Sequence, residues 1–396
     1  MRIRAGEAIR ATLLILLMVS VTVLSTQSHA DTGTCGTATT TLPFTDVMGN
    51  PFFCQIAEAF FSGLTNGTSA TTYSPAANVT REQMAAFITR TMDQSLKRGS
   101  RRAALQQFWT PTSADGLGLT TIGNGLTFVE SDGADLWVGN TTSSTVSRVR
   151  ASDGSLLETW TGANGARRVL AAKGMIFVAG RTSPGKLYQI DPTQPAGAVT
   201  ILTNTLGNLT QGISFDGARI WTANGSGSIS IVTLNPLTVN NVTTGFIQPI
   251  GILYDGANMW VTDAGTIPDK LFKLDSNGAI IQTVDVGSEP QNPVFDGTNI
   301  WVPNFSSNTV TVVRASTAAV LATLTGNGSV SPFTAAFDGE RILVTNNGGN
   351  SVSLWKAADL SPLGSIGTGT GTFPFGACSD GLNFWITLGT GKLARF

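Results

Sequence analysis

The side chains that could form a binding or catalytic site occur at two recurring places in a repeated unit that fills most of the chain. One place is the loop after the second predicted strand of each unit, and the other is the segment that enters the next first strand. If the units form a ring, both sets of loops meet at one mouth of a central channel. The residues are Arg167, Arg168, Arg181, Gln211, Asn224, Gln248, Asp263, Glu289, Asn304, Phe333, Asn346 and Phe375, together with Asn140, Gln291 and Phe373.

Such a set favours the binding of a carbohydrate or a peptide, because aromatic rings stack on apolar faces while amides bind polar groups. Asparagine also tolerates the left-handed backbone of tight loops, so turn geometry is a second explanation for the asparagines. Four of the side chains carry oxygens that would suit calcium, namely Asn224, Asp263, Glu289 and Asn304. No spacing shows that these oxygens converge, so we predict no metal or cofactor and keep calcium as the alternative.

Histidine chemistry is excluded from most of the chain. The single histidine, His29, lies in an N-terminal segment that we predict to be removed. The mature protein would then have no serine–histidine triad, histidine metal site or histidine acid–base group. We therefore predict no catalytic residue and a protein that is not an enzyme.

The N-terminal segment, residues 1–30, has the pattern of a secretory signal peptide. Arg2, Arg4 and Arg10 precede an apolar stretch at 13–24, and Ser28-His29-Ala30 is a small-residue cleavage signal. The apolar run is short for a membrane span, and an uncleaved anchor is the alternative. We expect a secreted protein at the cell surface or envelope (in the periplasm, if the organism has two membranes), peripheral to the membrane.

Composition sets further limits. Removal of the signal peptide leaves 21 of 24 basic and 24 of 25 acidic side chains, so no basic surface for nucleic acid is expected. In an oxidising compartment Cys35 and Cys54 can form a disulfide worth about 3 kcal/mol. Cys378 lies between small residues and reads as a buried strand residue rather than a reactive thiol.

Residues 31–92 form a first predicted module with two helices. Apolar residues between Phe52 and Phe61 recur at helical spacing, and that helix ends at Gly63. The second helix begins with a capping box of Thr80 and Gln83, flanked by a hydrophobic staple of Val79 and Met84. Met84, Phe87 and Ile88 then supply its apolar face.

This module resembles an S-layer homology domain. The resemblance covers Phe44-Thr45-Asp46-Val47, the helix containing Ile56, Gly63, Gly67, Tyr73-Ser74-Pro75 and Val79-Thr80-Arg81-Glu82. It implies attachment to a cell-wall polysaccharide through Thr80, Arg81 and Glu82, with the guanidinium on an anionic sugar substituent. Family members usually carry three repeats, whereas this chain has one, and Gln83 replaces the usual final carboxylate. A structural folding cap is therefore the alternative.

A linker is predicted at 93–115. Its basic residues, Lys97, Arg98, Arg101 and Arg102, indicate a solvated helix end, with electrostatic contact to an acidic wall polymer as the alternative.

Residues 116–396 repeat a turn signal that is Asp-Gly in six of seven copies. The marks fall at 132, 173, 216, 255, 296, 338 and 380, in steps of 39 to 43 residues. Seven units of this length predict an all-β propeller with seven four-stranded antiparallel blades. The tryptophans that recur in register predict packing between blades, and they are Trp137, Trp221, Trp260, Trp301 and Trp385.

The strands follow from the unit at 292–324. We predict strands at 292–295, 300–302, 309–313 and 319–324, with Asp296-Gly297 opening the first turn. The last unit ends after its third strand, while residues 118–128 resemble a fourth-strand segment. Residues 117–122 are therefore predicted to complete the seventh blade and close the ring.

The units resemble YVTN-type repeats and the related virginiamycin B lyase propellers, as in FDGTNIWVPNFSSNTVTVV and PIGILYDGANMWVTDAG. The resemblance implies an exported bacterial surface protein with the propeller fold; from the residues of the mouth we expect the propeller to bind a glycan or a protein. Some propeller lactonases hold calcium through Glu, Asn and Asp, so a secreted calcium-dependent lactonase is the rival hypothesis. The lyases of the family rely on a histidine, so their activity is not expected here.

Overall fold

The computed structural model describes residues 30–35, 38–61, 63–98, 118–123, 125 and 127–396. The chain divides into two compact units, Met1–Gln94 and Ser95–Phe396. The predicted signal peptide, apart from Ala30, and most of the predicted linker lie outside the described residues. Neither helix of the described chain combines the length and the apolar composition that a membrane crossing requires.

The N-terminal unit contains the two predicted helices, α1 (Phe53–Phe61) and α2 (Arg81–Arg98). It also contains a hairpin that the sequence did not predict, formed by β1 (Asp31–Cys35) and β2 (Ala38–Leu42). The carboxylate of Asp31 is buried and accepts hydrogen bonds from the amides of Val47 and Met48, at 2.7 and 2.8 Å. This bond holds the hairpin against the segment that leads into α1.

The predicted disulfide between Cys35 and Cys54 is confirmed, with a Cα–Cα distance of 5.5 Å. It joins the end of β1 to α1 beside a small core that includes Phe44, Phe53 and Ile56. A disulfide of this kind is typical of an oxidising, extracellular compartment.

The predicted capping box is confirmed at the start of α2. The Thr80 amide donates to Gln83 Oε1 at 2.9 Å, and the Gln83 amide donates to Thr80 Oγ1 at 3.2 Å. The apolar residues around it are not buried, since Val79, Met84 and Ile88 are each about half exposed. The helix therefore forms as its local signals predict, without the burial that its apolar residues suggested.

The C-terminal unit is a seven-bladed propeller with four antiparallel strands in each blade. Blade 1 consists of β4 (Thr127–Ser131), β5 (Asp135–Asn140), β6 (Thr145–Arg150) and β7 (Leu156–Thr161). Blade 2 consists of β8 (Ala166–Ala172), β9 (Met175–Gly180), β10 (Gly185–Ile190) and β11 (Thr200–Leu206). Blade 3 consists of β12 (Thr210–Phe215), β13 (Ile220–Asn224), β14 (Ser228–Leu234) and β15 (Leu237–Val242). Blade 4 consists of β16 (Gln248–Tyr254), β17 (Met259–Ala264), β18 (Lys270–Leu274) and β19 (Ile280–Asp285). Blade 5 consists of β20 (Val294–Phe295), β21 (Asn299–Asn304), β22 (Thr309–Arg314) and β23 (Val320–Leu324).

Blade 6 consists of β24 (Pro332–Phe337), β25 (Arg341–Asn346), β26 (Ser351–Lys356) and β27 (Pro362–Gly367). Blade 7 combines β28 (Pro374–Ser379), β29 (Phe384–Leu388) and β30 (Lys392–Arg395) with β3 (Gly118–Thr121) from the other end of the unit. Gly118 pairs with Arg395 and Thr121 with Lys392, so the predicted closure of the ring is confirmed. The pairing protects the edge of β30, which would otherwise be exposed.

The recurring tryptophans are buried between blades, as predicted. Trp260 packs against Ile300 and Val302 of the next blade, and Trp301 packs against Ile342 and Val344. Each of the five donates its indole N–H to the aspartate of the preceding Asp-Gly turn at 2.7 Å. The other carboxylate oxygen caps the turn; in blade 5, Asp296 Oδ1 accepts the amides of Thr298 and Asn299 at 2.8 and 2.6 Å.

Two blades replace this bond. In blade 6, Asp338 accepts a hydrogen bond from Arg341 Nε at 2.8 Å, and Leu343 stands in the core instead of tryptophan. In blade 2 the turn is shortened to Lys173-Gly174, both with positive φ, which is the geometry of a type I′ hairpin. The degenerate copy of the turn signal thus marks a different turn rather than a missing blade.

We expect Asp296→Ala to lower the free energy of unfolding by about 2–4 kcal/mol, because the buried indole N–H of Trp301 and two turn amides lose their acceptor. Denaturant unfolding of the full chain measures the change. Asp285→Ala is the control, since Asp285 is 66% exposed and pairs only with Lys270, so a loss of under about 1 kcal/mol is expected. Equal losses in the two variants would contradict this role for the Asp-Gly turn.

Candidate functional site

The inner strands of all seven blades line a central cavity of about 430 Å³. At one end, which we call the mouth, each inner strand begins; at the other end lie the Asp-Gly turns. Five inner strands, β8, β12, β16, β24 and β28, shift register against their neighbours close to the mouth. A β-bulge of this kind redirects a side chain, and bulges are frequent beside binding sites.

Phenylalanines form a packed group at the mouth, which we call the phenylalanine cluster: Phe128, Phe305, Phe333 and Phe375. The ring centroids of Phe333 and Phe375 are 4.8 Å apart and those of Phe128 and Phe333 are 6.1 Å apart. Phe305 meets Phe333 edge to face at 6.0 Å. The sequence predicted Phe333 and Phe375 here, but it missed Phe128 and Phe305, whose positions in their own units gave no signal.

Two successive arginines lie on the same ring. The bulge in β8 falls at Arg167, and the guanidinium carbons of Arg167 and Arg168 lie 5.3 and 3.5 Å from the ring centroid of Phe128. Arg168 is held in place, because its Nε donates to the Gln211 carbonyl at 3.1 Å and its terminal nitrogen donates to Asn292 Oδ1. The structure thus brings Arg167, Arg168 and the backbone of Gln211 together.

The environment of Arg167 disfavours its charge. Burial lowers the pKa of Arg167 to about 10, and repulsion from Arg181 adds to the effect. The Arg167 Nε atom is buried without a hydrogen-bond partner, and so is Gln211 Oε1. Among the residues that the structure describes, the guanidinium of Arg167 has no carboxylate or hydrogen-bond acceptor.

Glu130 lies deeper in the cavity and was not predicted. Burial raises the pKa of Glu130 to about 7, and the positive charge of Arg168 opposes that rise. The same burial lowers the pKa of Arg168 well below its usual value. In the other blades the position of Glu130 holds an uncharged residue, such as Ser214 or Cys378. Glu130 is thus the one acidic residue at this position of the seven units, and an alignment of the units could have identified it.

Cys378 faces the same cavity and remains an unreactive thiol. It is buried and free, and burial raises its pKa well above 9, with Glu130 and Asp380 adding to the shift. The thiolate is the nucleophilic form, so this position cannot supply a nucleophile near neutral pH. The prediction of a buried strand residue is confirmed.

The predicted asparagines are placed away from the mouth surface. Asn140, Asn224, Asn304 and Asn346 are fully buried at the ends of their second strands. In blade 5, Asn304 Nδ2 donates to the hydroxyls of Thr309 and Thr311 at 3.0 and 2.9 Å. Their backbone is not left-handed either, so the turn explanation was also wrong for these positions. They instead join the second strand of a blade to its third.

Left-handed residues do occur at the mouth, in the loops that enter the inner strands, but they are not the predicted asparagines. Ser331 and Phe373 have φ of 50° and 44° and directly precede their inner strands. The amide of Ser331 donates to Asn308 Oδ1 at 2.7 Å, and that of Phe373 donates to Asn350 Oδ1 at 3.0 Å. These bonds link each inner strand to the preceding blade and leave Phe373 half exposed on the mouth face.

The predicted calcium ligands are each engaged within their own part of the ring. Asp263 is fully buried, and its carboxylate accepts the amides of Ile247 and Gln248 at 3.0 Å. Burial raises the pKa of Asp263, and Asp269 contributes to that rise. Glu289 is exposed and accepts a hydrogen bond from the Ser306 hydroxyl. The described residues contain no group of three His, Cys, Asp or Glu side chains that could hold a metal.

The remaining predicted residues are surface residues. Arg181, Gln248 and Phe373 are exposed, whereas Gln291 is buried and donates to the Glu289 carbonyl at 3.3 Å. In the N-terminal unit, Thr80, Arg81 and Glu82 are exposed at the first turn of α2. A separate cavity of about 260 Å³ in that unit is lined by residues including Phe52 and Tyr73 and does not include those three.

Comparison with known proteins supports the fold. No protein-family profile matches the chain, and no curated protein matches it by sequence. A streptogramin B lyase structure is similar with a TM-score of 0.58 and 14% identity, over 70% of this chain and 97% of that one. A catalytically inactive histidine-to-alanine variant of virginiamycin B lyase from Staphylococcus aureus, solved with quinupristin, has a TM-score of 0.56 and 14% identity, over 72% and 97%. The WD40 propeller domain of Doa1 has a TM-score of 0.58 and 13% identity, over 71% and 95%.

At these identities the similarity shows the fold alone. The chain is a seven-bladed β-propeller of the shape that virginiamycin B lyase also has, which confirms that part of the resemblance. The S-layer homology resemblance of the N-terminal unit, export and attachment to the envelope remain predictions.

We expect the stability of the protein to fall as pH rises from about 5 to 8, because Glu130 is protonated in the folded state at a pH where the unfolded state is ionised. Glu130→Gln removes this term, so its stability relative to the natural chain should be roughly 2 kcal/mol greater at pH 8 than at pH 5. Urea unfolding at the two pH values measures it. Glu340→Gln, at an exposed position, should show no such difference, and a pH-independent effect of Glu130→Gln would refute the assignment.

Calcium should leave thermal unfolding unchanged, since the carboxylate oxygens of Asp263 already accept backbone amides. Bound calcium at a hundred times its Kd would add about 2.7 kcal/mol. Melting in EDTA and in millimolar calcium tests this directly. A calcium-dependent rise in Tm that disappears in Asp263→Asn, but not in Asp285→Asn, would instead show that calcium binds at Asp263.

Proposed function

We propose that this protein is an exported, non-enzymatic envelope protein whose propeller binds a ligand at the mouth of its channel. The observation that carries the proposal is the mouth itself, where the phenylalanine cluster lies beside Arg167, an arginine with no acceptor among the described residues. Aromatic faces together with unfilled hydrogen-bonding groups are what a ligand-binding site requires. Buried polar atoms without partners are costly unless a ligand or water satisfies them.

Catalysis is the weaker proposal for this channel. Residues 30–396 contain no histidine, whereas the Staphylococcus aureus lyase is catalytically inactive when one histidine is replaced. The buried thiol of Cys378 stays protonated near neutral pH. The carboxylate of Glu130 interacts electrostatically with the positive charge of Arg168.

The N-terminal unit is proposed to hold the protein on a wall polysaccharide. Arg81 is exposed on the first turn of α2, directly after the capping threonine, so its guanidinium is available to an anionic sugar substituent. A planar guanidinium binds a carboxylate through two parallel hydrogen bonds. The disulfide between Cys35 and Cys54 supports a location outside the cytoplasm.

We expect the full chain to sediment with purified cell envelope, and Arg81→Ala to reduce the bound fraction about tenfold, the effect of losing one charge-assisted pair. Arg90→Ala on the same helix is the matched control and should sediment normally, because Arg90 donates to the Leu64 carbonyl within its own unit. Failure of the unmodified chain to sediment, or equal losses in both variants, would remove the attachment proposal.

A further inference from the structure

At the mouth of the channel, Arg167 and Arg181 lie close enough for their positive charges to repel each other. Arg181 begins the loop after β9, and its amide donates to the Gly165 carbonyl at 2.9 Å, two residues before Arg167. This bond sets the backbone of Arg181 beside the bulge that carries Arg167. Glu130 is the acidic residue that acts on Arg168, while no carboxylate acts on Arg167.

The Nε atom of Arg167 is buried without an acceptor, which is costly, and the aromatic ring beneath Arg167 offsets only part of that cost. Arg168 cannot be the free cation, since its Nε and terminal nitrogen already donate to Gln211 and Asn292. Arg167 is free among the described residues, and it lies near a second free cation, Arg181. A carboxylate is the group that would neutralise the pair and accept hydrogen bonds from both.

Two further features restrict the ligand. Gln211 Oε1 is buried and lacks a donor, so a ligand that reaches it should carry a hydroxyl or amide hydrogen. Within the phenylalanine cluster, Phe305 and Phe375 are partly exposed and offer an apolar surface to a ring, whereas Phe128 and Phe333 are buried. A sugar acid presents a carboxylate, hydroxyl donors and an apolar ring face within one unit, whereas a peptide carboxyl terminus spreads the equivalent groups along an extended chain.

We propose that the mouth binds a carboxylated glycan, with its carboxylate between Arg167 and Arg181, a hydroxyl on Gln211 and a sugar ring against the phenylalanine cluster. The inference rests on the proposed function of the mouth as a binding site, and it names the ligand class. It is independent of the attachment proposed for the N-terminal unit, which involves a different arginine.

The test is calorimetric titration of the full chain carrying Arg81→Ala, so that the N-terminal unit does not contribute, with a trimer of galacturonic acid. The carboxyl-reduced form of the same trimer is the matched neutral probe. We expect the acidic trimer to bind at least tenfold more tightly than the neutral one, with affinity falling as salt is raised.

Arg167→Gln should weaken binding of the acidic trimer by about tenfold or more, and Arg167→Lys, which keeps the charge but loses the planar pair of donors, should fall between. Arg150→Gln is the control, because Arg150 is exposed and paired with Asp153 at 2.9 Å, and it should not change the affinity. Thermal melting of each variant confirms that it is folded.

Equal binding of the two trimers, absence of binding by the acidic trimer, or full affinity in folded Arg167→Gln would each overturn the proposal. Tighter binding of a peptide with a free carboxyl terminus would replace the glycan by a protein ligand. Loss of envelope sedimentation with trimer binding intact would remove only the attachment function, so the two failures are distinguishable.

Discussion

In five of the seven blades a hydrogen bond joins the turn aspartate to the tryptophan of the following strand, and the propeller depends on this interaction. A tryptophan at the blade interface supplies a large apolar surface, but its indole N–H must find an acceptor once it is buried. The turn carboxylate provides that acceptor and also accepts the turn amides, at 2.6–2.8 Å in blade 5. One side chain thus sets the turn, the register of two strands and the packing of neighbouring blades.

The binding mouth depends on that rigid frame. In five blades the register shift of the inner strand lies at the mouth end, where the extra residue of a bulge redirects a side chain. The bulge at Arg167 places two successive guanidinium groups on one phenylalanine ring. The mouth thereby gains two adjacent guanidinium groups, while burial raises the pKa of Glu130 in the cavity to about 7, so that its carboxyl group is only partly ionised at pH 7.

The N-terminal unit is held by different means. Its described core is small, and a disulfide and the buried Asp31 carboxylate secure its hairpin. Its second helix forms through the reciprocal capping bonds of Thr80 and Gln83 while its apolar residues stay exposed. Local hydrogen bonding and a covalent link therefore replace the extensive burial that stabilises the propeller.

The sequence by itself determined the number of blades, the closure of the ring by its two ends, the buried tryptophans, the disulfide and the capping box. Each of these depends on periodicity or on neighbours a few residues apart, and both are visible in a linear chain. Only the tertiary structure decided which side chains reach the mouth. Asn304 matched the expected loop position but is buried between strands, whereas Phe128 had no distinguishing context and packs against Phe333 at the mouth. A one-residue bulge changes the direction of a side chain without changing the repeat, so the orientation at the mouth follows from contacts between blades that the repeat does not encode.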